Sequence, residues 1–171
     1  MAMSIDGFIA DSGGGVGWLD PFQAVESGYD RFIADIGTVV FGRLTFEQVR
    51  GFGGPWPYVG KHGFVVTSGV VRDLPDGTVV WKGDVASLVQ SLRSDPGTNG
   101  DAWIVGGAML QASFIAEDAM DSIDLFVIPT LLGDGVRAFP SVVGRKSLVL
   151  RSSEALGMGM VRLSYDFTPS D

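Results

Sequence analysis

The chain has 171 residues, of which 46% are hydrophobic and 19% are charged, so we expect a substantial core and one domain over residues 1–171. A net charge of −8 repels phosphate backbones and disfavours nucleic acid as a partner. The absence of cysteine excludes disulfides and thiolate metal sites, and the presence of only one histidine excludes metal sites with several histidine ligands. No run approaches the roughly 20 apolar residues of a membrane helix and the start is not signal-like, so we expect a soluble, cytoplasmic protein with no membrane partner.

The predicted elements begin with a short strand and turn in residues 1–10, followed by a glycine-rich loop. Asp20, followed by proline, is typical of a helix start. Apolar residues spaced by three and four then predict an amphipathic helix over 21–36. The wholly apolar stretch TVVFG (38–42) predicts a strand buried on both faces, and RLTFEQVR (43–50) predicts a short helix.

The rest of the chain continues this alternation. The later predicted strands are GFVVTS (63–68), TVVWK (78–82), AWIVG (102–106), SIDLFVIPTLL (122–132), SLVLRSSEAL (147–156) and GMVRLSYDF (159–167). The later predicted helices are DVASLVQSLRS (84–94), capped by Asp84, and AMLQASFIAE (108–117), with a loop at 95–101 between helix and strand. This order predicts an α/β fold of three αβα layers, with a mostly parallel central sheet and antiparallel C-terminal strands at one edge.

Small or hydroxyl-bearing residues follow three of the predicted strands. They are Gly42, Arg43 and Thr45, then Thr67 and Ser68, then Gly106, Gly107 and Ala108. The carboxyl ends of parallel strands share one edge, and helix N-termini, arginine and hydroxyls all bind phosphate, so together they predict a phosphate site. Each alone has an ordinary explanation: a Gly-Gly connector, a surface arginine, or a Thr-Ser turn.

Two better-known phosphate motifs are absent. The stretch PWPYVGKH contains Gly60 and Lys61, but Pro55 stands where a P-loop needs glycine, and a histidine follows the lysine. The stretch GGGVGW does not fit GxGxxG, because Trp18 stands at the last glycine position. Neither a Walker ATPase nor an ordinary Rossmann fingerprint is therefore predicted.

The segments MSIDGFIA, VVFGRLTFE, FVVTS, WIVGGAML and LFVIPTLLGDG, in this order and with a tryptophan after the first, resemble the dihydrofolate reductase superfamily. Within it, the chain is most similar to the reductase domain of the bifunctional deaminase-reductase of riboflavin synthesis. The resemblance covers nearly the whole chain and implies a dihydrofolate reductase-like fold that binds NADPH. It is specific for the superfamily and not for a substrate.

The resemblance also implies which residues bind the cofactor. They are Gly42, Arg43 and Thr45 at the phosphates, Thr67 and Ser68 near the adenosine ribose and its 2′-phosphate, and Val105, Gly106, Gly107 and Ala108 under the pyrophosphate and nicotinamide. In the folate enzymes a cis peptide joins the paired glycines. Those enzymes often carry a basic residue shortly afterwards, where this chain has Met109, so Arg72 is the candidate replacement and a plain loop arginine is the alternative.

Folate reduction further needs a carboxylate on the first helix, and here Glu26 and Asp30 are the candidates, with solvent-facing charges as the alternative. Asp6 matches a turn near the substrate, or simply stabilises that turn. Trp18 matches a tryptophan at the pocket mouth, or packs in the core. Trp56 lies in a loop where the family binds substrate, and either belongs to a lid or anchors the loop.

The resemblance therefore implies an NADPH-dependent reductase that transfers a hydride to a pterin-like, flavin-precursor-like or ribosylaminopyrimidine-like substrate. One alternative is a nucleotide- or small-molecule-binding protein of the same fold without catalysis. Another is a structural dimer with no ligand, since the apolar C-terminal strands offer a pairing surface. Because free-standing chains of this family commonly pair, a homodimer is expected in any case.

Overall fold

The computed structural model describes residues 1–94, 100–141 and 144–168. Within them the chain divides into two compact units. The first comprises the segments up to Tyr29 and from Asp118 onward, and the second runs from Asp30 to Glu117. The loop predicted at 95–101 lies outside the described residues except for its last two positions. The expectation of a single domain stays a prediction.

Ten strands, four α-helices and two short 3-10 helices are formed by the described residues. The strands are β1 (Ala2–Ser4), β2 (Phe8–Ala10), β3 (Ile36–Gly42), β4 (His62–Val66), β5 (Thr78–Trp81), β6 (Asp101–Gly106), β7 (Ser122–Ile128), β8 (Val136–Arg137), β9 (Leu148–Ala155) and β10 (Val161–Phe167). The helices are α1 (Tyr29–Asp35), α2 (Arg43–Gly51), α3 (Val85–Ser94) and α4 (Ala108–Ala116), with 3-10 helices at Gly17–Phe22 and Gly157–Gly159.

A parallel sheet forms the centre of the second unit. Its strand order is β5-β4-β3-β6, and every neighbouring pair is parallel. Val39, Val40 and Phe41 in the inner strand β3 are fully buried, as a strand covered on both faces requires. The predicted parallel sheet is therefore confirmed, and its carboxyl edge is where ligands bind in sheets of this kind.

Helices α2, α3 and α4 confirm the sequence predictions for those segments. Asp84 caps α3, since its Oδ1 accepts a hydrogen bond of 2.8 Å from the Ser87 amide. Helix α4 is buried on most sides, including Phe114 and Ile115. None of the helices in the described part of the chain is long and apolar enough to cross a membrane.

The single helix predicted over 21–36 is wrong. The chain instead forms a 3-10 helix at Gly17–Phe22, and α1 begins only seven positions further along. Gly28 has a φ of +75°, a left-handed conformation that interrupts a right-handed helix. Asp20 also does not cap a helix, because it lies inside the 3-10 helix and its Oδ1 accepts from the Gln23 side chain.

Two sheets form the first unit. One has the order β1-β7-β10-β9, in which β1 and β7 are parallel and the other neighbours are antiparallel. The second sheet is the antiparallel pair of β2 and β8. The C-terminal hairpin predicted from the sequence is β9–β10, hydrogen-bonded to β7. The predicted fold class, α/β with a parallel sheet and antiparallel C-terminal strands, is confirmed. The expectation that these strands extend one edge of the parallel sheet is wrong, because they pair with β7 in a separate sheet.

Lys61 stabilises the end of α1 in the second unit. Its Nζ donates hydrogen bonds of 2.7 Å to the Ile33 carbonyl and 2.6 Å to the Ile36 carbonyl. These carbonyls lie where the last helical turn passes into β3, so they lack the partners that a longer helix would provide. A cation at a helix C-terminus also interacts favourably with the helix dipole.

We expect Lys61→Met, which keeps most of the aliphatic stem, to lower the free energy of unfolding by about 1.5–3 kcal/mol, the range for hydrogen bonds to a charged group. Urea unfolding followed by circular dichroism measures this. Lys82→Met, at an exposed lysine of the same unit, is the matched control. Equal losses in the two variants would contradict this role of Lys61.

Candidate functional site

Three neighbouring strand ends come together at the carboxyl edge of the parallel sheet. In the register of the sheet, Gly42 at the end of β3 pairs with Val66 at the end of β4. On the other side, Phe41 pairs with Gly106 at the end of β6. The three segments predicted to share one rim therefore do share it, and this rim lies wholly within the second unit.

The glycines at this rim, Gly42, Gly106 and Gly107, lie close to other parts of the same chain. A β carbon added at Gly42 would lie 3.4 Å from the Gly107 nitrogen and 3.6 Å from the Gly106 oxygen. One added at Gly107 would lie 3.1 Å from Thr45 Oγ1, closer than most real contacts. The Gly106–Gly107 peptide is cis, as the resemblance implied. Contact within the protein thus accounts for part of the glycine requirement at this rim.

Two helices begin at this rim without a side-chain cap. Gly42 is the N-cap of α2 and Gly107 is the N-cap of α4, and neither start has a side-chain cap hydrogen bond. Neither first turn contains an acidic residue. The first amides of a helix have no partner inside it and carry a partial positive charge, so this pair of helix starts favours an anion.

Arg43 lies at the start of α2 beside the turn that follows β4. Its guanidinium Nη1 donates a hydrogen bond of 3.0 Å to Glu47 Oε1, and both side chains are about half exposed. Its Cδ lies 3.8 Å from the position that a β carbon at Gly69 would occupy. In the same turn, Thr67 Oγ1 accepts a hydrogen bond of 3.0 Å from the Gly69 amide, and Ser68 is exposed.

An open cavity of about 540 Å³ adjoins this turn. Phe46, Glu47 and Arg50 of α2 form one wall, and residues 70–73, which include Arg72, form the other. Arg50 Nη1 donates a hydrogen bond of 2.6 Å to the Asp73 carbonyl, which joins the two walls. Arg72 is thus brought to the cavity together with two charged residues of α2.

Glu47 and Arg50 line the cavity but were not predicted as site residues. The signal was present in RLTFEQVR, because Arg43, Glu47 and Arg50 are spaced by four and three and therefore share one face of α2. Val105 and Ala108, which were selected, are largely buried and present no polar side chain. They can contribute only through their backbone and packing.

The two candidate acids differ in their surroundings. Glu26 lies in a non-helical segment of the first unit, where its Oε1 accepts a hydrogen bond of 2.9 Å from the Gly28 amide. The expectation that it lies on the first helix is wrong, because the helix has not yet begun there. Asp30 is exposed in the first turn of α1. Their catalytic role stays a prediction.

Trp56 anchors its loop. The centre of its ring lies 5.7 Å from those of Phe41 and Phe46 and 5.1 Å from that of Tyr58, in tilted and edge-on arrangements typical of packed aromatic side chains. These contacts favour the anchor over the lid. Contact between Trp56 and a substrate stays a prediction.

Trp18, in the first unit, presents an unused hydrogen-bond donor. It lies in the 3-10 helix and is half-buried. Its indole Nε1 is buried and has no hydrogen-bond partner in the described part of the chain. Buried indole N–H groups normally find a partner, but this nitrogen is not exposed, so contact between Trp18 and a substrate stays a prediction. Among the same residues, no group of three or more His, Cys, Asp or Glu side chains forms a metal site.

Asp6 holds a loop of the first unit. Its carboxylate accepts hydrogen bonds of 2.6 Å from Ser4 Oγ, 2.7 Å from the Gly133 amide and 3.2 Å from the Leu132 amide. The bond from Ser4, followed by those from the backbone, lowers the pKa of Asp6 below its ordinary value of 3.8. The turn-stabilising alternative for Asp6 therefore has direct support.

We expect Asp6→Asn to lower the melting temperature near neutral pH. Because the pKa of Asp6 is lower in the folded chain, its stabilisation is complete above pH 3.8 and is lost as the pH falls through the lowered value. The difference in melting temperature between wild type and variant should therefore shrink below pH 3.8. Thermal unfolding across pH measures it, with the exposed Asp121→Asn as control. A difference that does not change with pH would contradict the assignment.

The sequence matches the family model for the RibD C-terminal domain over residues 61–162. The chain is 34% identical to the uncharacterized protein YwjB of Bacillus subtilis strain 168 over 167 residues, which covers 96% of this chain and 94% of YwjB. It is 27% identical to the uncharacterized protein YyaP of the same strain over 177 residues, covering 96% of this chain and 91% of YyaP.

Two solved structures are similar to this chain in fold. A Shewanella sp. PV-4 protein provisionally assigned to riboflavin biosynthesis superimposes with a TM-score of 0.86 and 27% identity, covering 99% of this chain and 97% of its own. The diaminohydroxyphosphoribosylaminopyrimidine deaminase/5-amino-6-(5-phosphoribosylamino)uracil reductase of Thermotoga maritima shares the fold, with a TM-score of 0.72 at 15% identity, over 98% of this chain and 55% of its own. The chain belongs to the RibD C-terminal domain family and has its dihydrofolate reductase-like fold.

Proposed function

We propose that this protein is an NADPH-dependent reductase that transfers a hydride to a small heterocyclic substrate. The observation that supports this best is the pair of uncapped helix N-termini at adjacent strand ends, next to Arg43. A dinucleotide needs an anion site for its pyrophosphate and a further groove for its adenosine end, and this edge of the sheet offers both. The riboflavin-biosynthesis assignment of the Shewanella relative supports a flavin precursor as the class of substrate.

In this proposal the pyrophosphate binds to the amides that start α2 and α4. Gly42, Gly106 and Gly107 let the ligand approach the backbone, and the Thr45 hydroxyl beside them is within reach of a phosphate oxygen. The absence of acidic residues in both first turns fits a bound anion. The half-exposed Arg43 adds a fork of donors at the edge of the same site.

The adenosine end would then lie along the turn after β4. Thr67 and Ser68 offer hydroxyls to the ribose and its 2′-phosphate, and Arg43 and Arg72 offer positive charge. The cavity of about 540 Å³ beside them has room for a purine ring, and Val70 and Val71 give it an apolar wall. This arrangement supports NADPH as the cofactor.

NADPH, when bound, supplies the hydride. The protein orients both reactants and excludes water. Trp18 of the first unit is proposed to contact the substrate, and Asp6 of the same unit holds the loop at residues 132–133 through its backbone bonds. Of the two candidate acids, Asp30 is the better proton donor, because the Glu26 carboxylate is already hydrogen-bonded within its own turn. The substrate is proposed to be a pterin, a flavin precursor or a ribosylaminopyrimidine.

Binding without catalysis is the second candidate function. The observation that favours it is that Asp30 is exposed to solvent, while Glu26 Oε1 already accepts a hydrogen bond from the Gly28 amide. Under this alternative the same rim binds a nucleotide, and no hydride is transferred. The reductase proposal predicts that NADPH is oxidised, whereas binding alone predicts that it is not.

The experiment is to titrate NADPH against the fluorescence of the four tryptophans and then follow nicotinamide absorbance with each candidate substrate. The reductase proposal expects quenching and consumption. Quenching without consumption for any substrate supports binding alone, and no response to NADPH contradicts both.

We expect Arg43→Gln to weaken NADPH binding by about 10- to 100-fold, the loss of one charge-assisted hydrogen bond to a phosphate. Because Arg43 is proposed to meet the 2′-phosphate, the loss should be greater for NADPH than for NADH. Fluorescence titration measures both affinities, and the exposed Arg145→Gln is the control for net charge. Unchanged NADPH affinity in Arg43→Gln would contradict the cofactor site.

We also propose that the protein is a homodimer formed through β9. This strand is the edge of its sheet, and all eight of its residues are exposed. Leu148 and Leu150 lie opposite Phe167 and Tyr165 of β10, so apolar side chains share one face of the hairpin. An exposed edge strand with an apolar face is a ready pairing surface for a second copy.

Leu150→Glu is expected to convert the dimer to a monomer, because it places a carboxylate on the proposed interface. Sedimentation velocity gives the mass of each form. Leu131→Glu, at another exposed leucine of the same unit, is the control and should stay dimeric. A monomeric wild type, or a dimer that persists in Leu150→Glu, would contradict the proposed interface.

A further inference from the structure

Two acidic residues, Glu47 and Asp73, line the cavity beside the proposed cofactor site, and Glu47 is the one paired with Arg43. Glu47 lines the cavity together with Arg50 and Arg72, and its Oε1 accepts a hydrogen bond of 3.0 Å from Arg43 Nη1. It lies one helical turn after Arg43 on α2. The guanidinium that should meet a phosphate is therefore already paired with an anion of the protein.

This ion pair is easily exchanged. Both side chains are about half exposed, at 47% for Arg43 and 49% for Glu47, and pairs at such positions are weak because water and salt screen them. Only one of the terminal nitrogens of Arg43 donates to Glu47, so the guanidinium keeps other N–H groups for a ligand. A phosphate can thus bind Arg43, but it does so beside a negative charge.

We propose that Glu47 sets the discrimination between 2′-phosphorylated and unphosphorylated dinucleotides, by opposing the 2′-phosphate at Arg43. This rests on the proposed function of the rim as a dinucleotide site. Glu47 acts in two opposite ways: it orients Arg43, which favours binding, and it repels a dianionic phosphate, which disfavours binding. NADH lacks that phosphate, so the repulsion falls selectively on NADPH.

Two substitutions separate these effects. Glu47→Gln keeps a carbonyl oxygen that can accept from Arg43 and removes only the charge. Glu47→Ala removes both the charge and the acceptor. Because Glu47 is half exposed on the surface of α2, both variants are expected to fold, and circular dichroism checks this.

The measurement is the affinity of wild type and variants for NADPH, NADH and 2′-phosphoadenosine 5′-phosphate by calorimetry. Removing one unit charge a few ångströms from a phosphate near the surface should raise the ratio of NADPH to NADH affinity by about 5- to 10-fold in Glu47→Gln. Glu47→Ala should gain less, because Arg43 is no longer oriented. The gain should shrink at high salt, since screening weakens the repulsion.

Glu117→Gln, at an exposed acid of the same unit away from the cavity, is the matched control and should leave the ratio unchanged. A ratio that stays the same or falls in Glu47→Gln, while wild type binds NADPH, overturns this inference and leaves the proposed function intact. Failure of wild type to bind either dinucleotide overturns both.

Discussion

The close approach of two neighbouring strand ends is the constraint on which the candidate site depends. Strands β3 and β6 are parallel neighbours, so the chain leaving each must enter its helix within one strand spacing of the other, about 4.8 Å. A β carbon at Gly42 would lie 3.4 Å from the Gly107 nitrogen, so larger side chains there would push the helix starts apart. Without this contact, the unpaired amides of α2 and α4 would not lie side by side.

A net charge of −8 does not prevent an anion site at this rim. The potential there is dominated by groups within about one Debye length, roughly 8–10 Å at moderate salt. The nearest groups are helix-terminal amides, which carry partial charge without appearing in the composition, and Arg43 with its partner Glu47. The acidic surface therefore argues against a polyanion, which contacts a wide area, but not against a small ligand that carries a few phosphates.

Several charged side chains stabilise local structure. Lys61 binds the carbonyls at the end of α1, Asp6 binds the amides of a distant loop, and Asp84 caps α3. Arg43 differs, because its partner Glu47 is half exposed and exchangeable. The surroundings of a charged group, more than its residue type, separate structural charges from those available for binding.

The sequence by itself determined what depends on neighbours along the chain: the apolar strands, the cap at Asp84, the glycines at the strand ends and the family. The helix predicted over 21–36 does not form as one element, although its apolar residues have helical spacing, because Gly28 adopts a left-handed conformation. The spacing of apolar residues does not encode that conformation. Only the tertiary structure decided which distant segments meet, as when Asp6 binds the Gly133 amide across 127 residues. Local patterns set the conformation of each segment, whereas its partners follow from how the whole core packs.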